Sequence, residues 1–150
     1  MNNLIPSLRK KLRQNSSEET RNTGRKFFKE KIKLYGVKTP LVRKIAAQYF
    51  KPIKEKNKPE IFALCETLFK SGCLEEFFIA CCWAENLHKQ YTPEDFQTFS
   101  RWVRQYVTNW AACDTLCNHT IGSFLETFPQ YVNDLKNWTT SENRWVRRAA

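Results

Sequence analysis

Apolar residues recur along this chain at intervals of three and four rather than at alternate positions, a spacing that predicts helices and no sheet. Leu4, Ile5, Leu8 and Leu12 form a first stripe, and a short second helix is expected to start near Ser16 or Ser17, whose hydroxyl can cap it ahead of Glu18 and Glu19. Gly36-Val37-Lys38-Thr39-Pro40 reads as a loop feeding a third helix, with Thr39 as N-cap, Pro40 at the first helical position, and a buried face of Val42, Ile45, Ala46, Tyr49 and Phe50. After a solvated connection through Pro52 and Lys54 to Lys58, Pro59 opens a helix carrying Ile61, Leu64, Cys65, Leu68 and Phe69, which Gly72 ends. Leu74, Phe77, Phe78, Cys81 and Trp83 mark the next. Thr92-Pro93-Glu94-Asp95 repeats the cap-then-proline start before Phe96, Phe99, Trp102, Val103 and Tyr106. Thr108-Asn109-Trp110 breaks the periodicity, Ala111 to His119 restores it, and Gly122, Pro129 and Thr140-Ser141 delimit three further pieces.

Short helices with short connections that restart at Thr39-Pro40 and again at Thr92-Pro93 point to an all-α fold of the α-α superhelix (solenoid) kind. The expected architecture is one repeat domain over residues 1–150, a right-handed stack of antiparallel helix pairs. Trp83, Trp102, Trp138 and Trp145 lie on apolar stripes and read as core, as do the phenylalanines between 61 and 106.

Charge changes this picture because it is unevenly distributed. The chain of 150 residues carries a formal net charge of +10, with 17 basic and 4 acidic side chains in residues 1–58, 2 and 7 in residues 59–100, and 6 and 4 in residues 101–150. A basic end of this kind suits a polyanion, from which bound counterions are released on association. No apolar run approaches the roughly 20 residues needed to cross a bilayer. The start Met1-Asn2-Asn3-Leu4-Ile5-Pro6 lacks the apolar core of a secretory leader, so a cytoplasmic protein is expected, with no membrane partner. The six cysteines, at 65, 73, 81, 82, 113 and 117, fall in apolar helical patterns without a C-x-x-C pair and read as reduced, buried thiols. Cys113, Cys117 and His119 lack a second ligand pair, so no metal is expected.

Phosphate loops, nucleophile elbows, H-E-x-x-H and EF-hand patterns are all missing, and His88 and His119 are the only histidines, which argues against histidine acid-base chemistry. Trp110 and Asp114, four residues apart, stand on one helical face a turn from each other, so that a π-face and a carboxylate reach the same target. Near the end of the sequence, Ser141-Glu142-Asn143-Arg144-Trp145-Val146-Arg147-Arg148 supplies a basic helix start. Such a set suits a cationic, phosphate-bearing substrate.

At Gly36-Val37-Lys38-Thr39-Pro40-x-x-Arg43, at Trp110-x-x-x-Asp114 with Gly122 eight residues on, and at Ser141-Glu142-Asn143-x-Trp145-Val146-x-Arg148, the chain resembles the AlkD-type DNA alkylation-repair glycosylases, which are built of HEAT-like repeats. The motifs come in the family's order and cover about residues 24–150. Members of that family continue further, so this chain is expected to be a C-terminally truncated one. The resemblance implies Asp114 as the catalytic carboxylate, Trp110 as the aromatic beside the lesion nucleotide and Arg148 as the basic residue completing the cleft. Phe27 stands where the family would have a Tyr. Lys38, Thr39, Arg43, Lys44 and Arg147 complete the expected DNA-binding set. Two alternatives stay open: a different register would put Cys117 at the catalytic position, and Arg147 competes with Arg148, about 100° away on the helix. The function so implied is excision of positively charged N3- or N7-alkylpurines from double-stranded DNA by a monomer without a cofactor. A catalytically silent DNA-structure-binding module and a helical scaffold for proteins are the competing readings. An electropositive concave face carrying Lys38, Arg43 and Arg148 is the surface expected for either of the DNA-directed ones.

Overall fold

The computed structural model describes residues 3–150; Met1 and Asn2, part of the segment read above for a leader, lie outside the described residues. In α1 (Leu4–Gln14) the stripe sends Leu8 and Leu12 fully into the core, where the helix packs on α3 (Thr39–Phe50). Ser17 is the cap of α2 (Glu18–Arg25), its hydroxyl accepting from the Thr20 N–H at 3.0 Å. Lys38, not Thr39, is the N-cap of α3: Thr39 is already helical and Pro40 sits in the first turn, where its missing N–H costs no hydrogen bond. Gly36 turns the loop ahead of it at φ +91°, and a Cβ there would fall 2.5 Å from the Ser17 carbonyl oxygen and 2.8 Å from Arg21 Cβ. Only glycine meets both demands.

The connection after α3 is less solvated than its lysines suggest, because Lys51–Ile53 forms a 3-10 turn that buries Ile53 completely. A capping box opens α4 (Lys58–Lys70): Asn57 Oδ1 accepts from the Glu60 N–H at 2.9 Å and Glu60 Oε2 from the Asn57 N–H at 3.1 Å. Gly72, at φ +72°, turns the chain into α5 (Leu74–Glu85). There Phe77 lies 4.6 Å from the ring of Phe69, and the Trp83 indole N–H donates to the Ala46 carbonyl at 2.9 Å. The chain forms two compact units, one reaching to Trp83 and the other running from Ala84 to Ala150, the division falling in the last turn of α5.

The second unit holds α6 (Asp95–Tyr106), α7 (Trp110–Thr115), a π-helical turn at Leu116–Ile121, α8 (Gly122–Thr127), a 3-10 segment at Pro129–Asp134, α9 (Leu135–Trp138) and α10 (Arg144–Ala149). Its core is aromatic: Phe99 meets Phe124 edge-on at 5.7 Å and Phe96 stacks on Trp138 at 5.7 Å. The start of α6 is two residues later than Pro93 suggested, with the Asp95 carboxylate accepting from the Thr92 N–H at 2.8 Å. Gly122 does not break the chain either. It continues the helix out of the π turn, where a Cβ would stand 3.2 Å from the Cys117 carbonyl oxygen, so the residue that looked like a stop serves a widened turn.

Among the described residues there is no strand, only an isolated parallel bridge between Lys33 and Cys73, and the fold is all-α as the spacing predicts. Within each unit short helices pack on one another, α1 on α3 in the first and α10 on α6 and α7 in the second, as is consistent with an α-α solenoid. No described helix is long and apolar enough to cross a membrane. Core assignments need correcting at six residues: Tyr49, Phe50, Phe78 and Trp145 are half-buried, and of the six free thiols Cys82 and Cys117 are half-buried too. The Arg144 guanidinium lies over the half-buried Trp145 ring, 4.5 Å from the centroid.

Candidate active site

The interruption at Thr108-Asn109-Trp110 is a helix cap. Asn109, itself buried, accepts the Ala112 N–H on its side-chain oxygen at 2.8 Å and starts α7 there. Ala111, Ala112 and Cys113 face inward, which leaves Trp110, 40 % exposed, and Asp114, half-buried, on the outward side one turn apart. A second asparagine, Asn143, caps α10 by accepting from the N–H groups of Trp145 at 2.9 Å and Val146 at 3.4 Å. Val146 buries itself and α10 packs against α6 and α7, with the Cys113 thiol donating to the Trp145 carbonyl at 3.5 Å.

This packing brings Arg148 onto Asp114 in a two-pronged pair, Nε to Oδ1 at 2.8 Å and Nη2 to Oδ2 at 2.9 Å. Arg147 turns the other way and donates from Nη1 to the carbonyls of Ser141 at 2.6 Å and Glu142 at 3.0 Å, so that it closes the loop before its own helix. Between the two arginines the geometry therefore selects Arg148 as the partner of Asp114. Cys117, in the π turn, shares a hydrogen bond with Cys113 that pulls the Cys113 thiol below its ordinary pKa against the opposing effect of burial.

Arg148 holds the Asp114 carboxyl below its ordinary pKa, chiefly through the hydrogen bonds, with burial opposing and the guanidinium charge assisting. The Arg148 guanidinium is raised in turn. A carboxyl depressed in the folded state contributes stability above its unfolded value of about 3.9, and that contribution is lost as pH falls through the lower folded value. The side chains are 37 % and 48 % exposed, so solvent screens the pair and its share is small. The melting temperatures of the wild type and of Asp114→Asn are accordingly expected to converge as pH falls below about 3.9, and a difference that stays constant from pH 7 to pH 3 would show that the pair has no part in stability.

The other residues expected to meet DNA lie in the first unit. Lys38, Thr39, Arg43 and Lys44 are all exposed on the opening turns of α3, and Phe27 is 68 % exposed just after α2. Two acidic residues that the sequence reading passed over hold this region in place. Glu75, buried, accepts the N–H groups of Tyr35 at 3.0 Å, Gly36 at 2.8 Å and Val37 at 3.1 Å, thereby fixing the loop that ends in Lys38. Glu76, also buried, takes Arg9 Nε at 3.0 Å and the Tyr35 hydroxyl at 2.7 Å. Burial and the Glu76 hydrogen bond raise the Tyr35 hydroxyl, and burial pushes the Cys73 thiol up to about 12. The signal was available: two adjacent acids inside Leu74 to Trp83, an otherwise apolar run, must be paired if they are buried.

His119 lies 3.8 Å from the Glu85 carboxylate, and among the described residues no three His, Cys, Asp or Glu side chains are grouped as metal ligands. The site thus offers an ionic pair beside an exposed indole on a strongly basic chain, an arrangement for a charged substrate carried on a polyanion. No curated protein compared with the chain matches it. The sequence profile of one family, described as DNA alkylation repair enzyme, matches residues 8–150, nearly the whole of the sequence and all of the residues above, and the chain belongs to that family.

Proposed function

We propose that this chain is a monofunctional DNA glycosylase that hydrolyses the N-glycosidic bond of N3- or N7-alkylated purines in duplex DNA. The observation that carries the reading is the two-pronged Asp114–Arg148 pair beside the exposed Trp110, in a member of a DNA alkylation repair family. An alkylated purine of this kind is already cationic. Its bond to the sugar breaks with the electron pair going to the base, which neutralises the ring, so little acid catalysis is required. Stabilisation of the sugar left behind is what the reaction needs. Asp114 supplies a negative field to the oxocarbenium-like deoxyribose and orients the water that adds to its anomeric carbon, by analogy with the carboxylates of glycosidases. Trp110 packs against the sugar and presents its negative face to the cation.

Arg148 links chemistry to binding. With Nε and Nη2 on Asp114, its Nη1 makes no hydrogen bond among the described residues and is left for a backbone phosphate next to the lesion. Any shift of the guanidinium from carboxylate to phosphate leaves Asp114 less neutralised as the sugar turns cationic. Phe27, Lys38, Thr39, Arg43 and Lys44 supply further DNA contacts, and the protein acts as a cytoplasmic monomer on a lesion read at the backbone, without a base pocket.

The test is incubation of the chain with methylated duplex DNA and detection of free 3-methyladenine or 7-methylguanine. Intact DNA with undiminished affinity would leave a binding module, and DNA affinity that is absent or insensitive to salt would leave a protein scaffold. Arg148→Ala is expected to weaken duplex binding and to flatten its log-log salt dependence by about 0.9, the loss of one phosphate contact. An unchanged slope in fluorescence anisotropy titrations would remove Arg148 from the phosphate contacts.

A further inference from the structure

Of the six cysteines, Cys113 and Cys117 alone stand four residues apart, and they do so where α7, the helix of Asp114, runs into the π turn. That spacing sets two side chains one above the other on a helical face. The two thiols share a hydrogen bond, and both lie near enough to Arg148 to add to the rise that Asp114 causes in its guanidinium. Dithiol, carboxylate and guanidinium therefore form one cluster. Within it the sulfurs differ in access, for Cys113 is 1 % exposed and Cys117 is half-buried. Cys113 is also the one that ties α7 to α10, its thiol donating at 3.5 Å to the carbonyl of Trp145, three residues before Arg148.

The chemistry follows from that difference. A hydroperoxide arriving from solvent meets Cys117, whose thiolate attacks one peroxide oxygen: the S–O bond forms as the O–O bond breaks, the released alkoxide takes up a proton, and the sulfur, oxidised by two electrons, becomes a sulfenic acid. Cys113 needs no access to solvent for the next step. Its thiol is held below its ordinary pKa by the Cys117 hydrogen bond, with the Arg148 charge assisting and burial and the Asp114 charge opposing. The Cys113 thiolate attacks the Cys117 sulfur, so that S–S forms, S–O breaks and the hydroxide leaves as water. Two thiols and one hydroperoxide thus give a disulfide, an alcohol and water. Cys65, Cys73 and Cys81 are buried, the Cys73 thiol pushed up to about 12, and half-buried Cys82 has no cysteine three or four residues away.

The new bond does not fit the turn as it stands. Residues four apart on a helix hold their Cβ atoms about 5–6 Å from each other and a disulfide needs about 3.5–4.5 Å, so the pair must close by about 1–2 Å. The segment that gives way is the π turn, in which the Cys117 carbonyl accepts the Gly122 N–H. Cys113 then has no proton to donate to Trp145, and Asp114, its neighbour in the chain, is turned away from Arg148. We propose that Cys113 and Cys117 are a peroxide-oxidised dithiol whose disulfide opens the Asp114–Arg148 pair. On the glycosylase reading above, on which this consequence rests, oxidation switches excision off.

The experiment treats the chain with hydrogen peroxide, blocks the remaining thiols with iodoacetamide and maps the peptides by mass, with heteronuclear NMR of the Arg148 Nε–H and excision of 7-methylguanine measured on the same sample. A link between Cys113 and Cys117 is expected, the Arg148 resonance moving to the position of a solvated arginine and excision falling about tenfold or more, all three reversed by dithiothreitol. Cys117→Ser should keep both its excision and its Arg148 resonance under the same dose of peroxide. Reduced protein that excises nothing would count against the glycosylase reading, and the link and the resonance would then decide the dithiol on their own. The proposal is overturned if Cys117 stops at a sulfenic or sulfinic acid, if the link forms with the Arg148 resonance unmoved, or if peroxide moves that resonance in Cys117→Ser as it does in the wild type.

Discussion

Asp114→Asn is expected to leave duplex DNA bound as tightly as in the wild type, or more tightly, while excision of 7-methylguanine falls by about 10²–10³-fold. The substitution preserves the shape of the side chain and one acceptor for Arg148 Nε, now 2.8 Å from Oδ1, but puts an amide N–H₂ against Nη2, now 2.9 Å from Oδ2. Arg148 is thus loosened and freed for phosphate, and the repulsion between carboxylate and phosphate disappears, which together hold or raise affinity. What is lost is the negative charge that strengthens its hold on the sugar only as the sugar turns cationic, so the deficit appears in the single-turnover rate and not in Kd. Cys117→Ser serves as the companion variant, since the register that puts Cys117 at the catalytic position requires it to be damaging and the Asp114 reading requires it to be nearly silent. Equal excision by the wild type and Asp114→Asn would refute the mechanism. Weakened binding with unchanged turnover would show instead that the carboxylate serves the fold.

How much of this was legible in the sequence depended on the range of the interaction. Ser17 ahead of Glu18 and Glu19 marked the start of α2 because a cap and the backbone N–H that donates to it are three residues apart, within reach of a local pattern. Gly122 misled because a glycine that stops a helix and one that lets a π turn close differ only in where neighbouring backbone runs, here the Cys117 carbonyl. Trp110 and Asp114 could be placed on one face by spacing alone, whereas the meeting of Asp114 with Arg148, 34 residues away, came only from a family resemblance. No local rule separated Arg148 from Arg147. The loop carbonyls of Ser141 and Glu142 that claim Arg147 separate them in three dimensions. Glu75 and Glu76 went unread for the same reason: their partners, Tyr35 to Val37 and Arg9, lie 38 to 41 and 67 residues away. Periodicity counts such acids as surface, and only the apolar company they keep hints otherwise.

Those two acids set the largest stability effect expected in the first unit. In Glu75 the Oε1 atom accepts from Tyr35 N–H, and Oε2 accepts from Gly36 and Val37 N–H, at a residue 4 % exposed. Glu75→Gln keeps the volume but turns one oxygen into a donor, so that in either amide orientation at least one buried backbone N–H faces another N–H with no water at hand. Each such unsatisfied donor costs about 1–3 kcal/mol, and the loss should come to about 3 kcal/mol where Gly36 and Val37 are stranded together. For a chain of this size that is a fall in Tm of about 6–12 °C. The loop cannot relax to recover the bonds, because Gly36 is pinned at φ +91° with its carbonyl accepting the Ser17 N–H at 2.9 Å. Lys38 follows two residues later, so the loosened loop should also weaken duplex DNA binding modestly at temperatures where the protein is still folded. Thermal melts followed by circular dichroism, with anisotropy titrations at 15 °C beside them, separate the two effects. A Tm within 2 °C of the wild type would mean that the loop is held without Glu75, by Ser17 and by Arg21, whose Nε and Nη2 donate to the Tyr35 carbonyl at 3.1 and 3.0 Å, and unchanged DNA affinity together with a large fall in Tm would confine Glu75 to the fold.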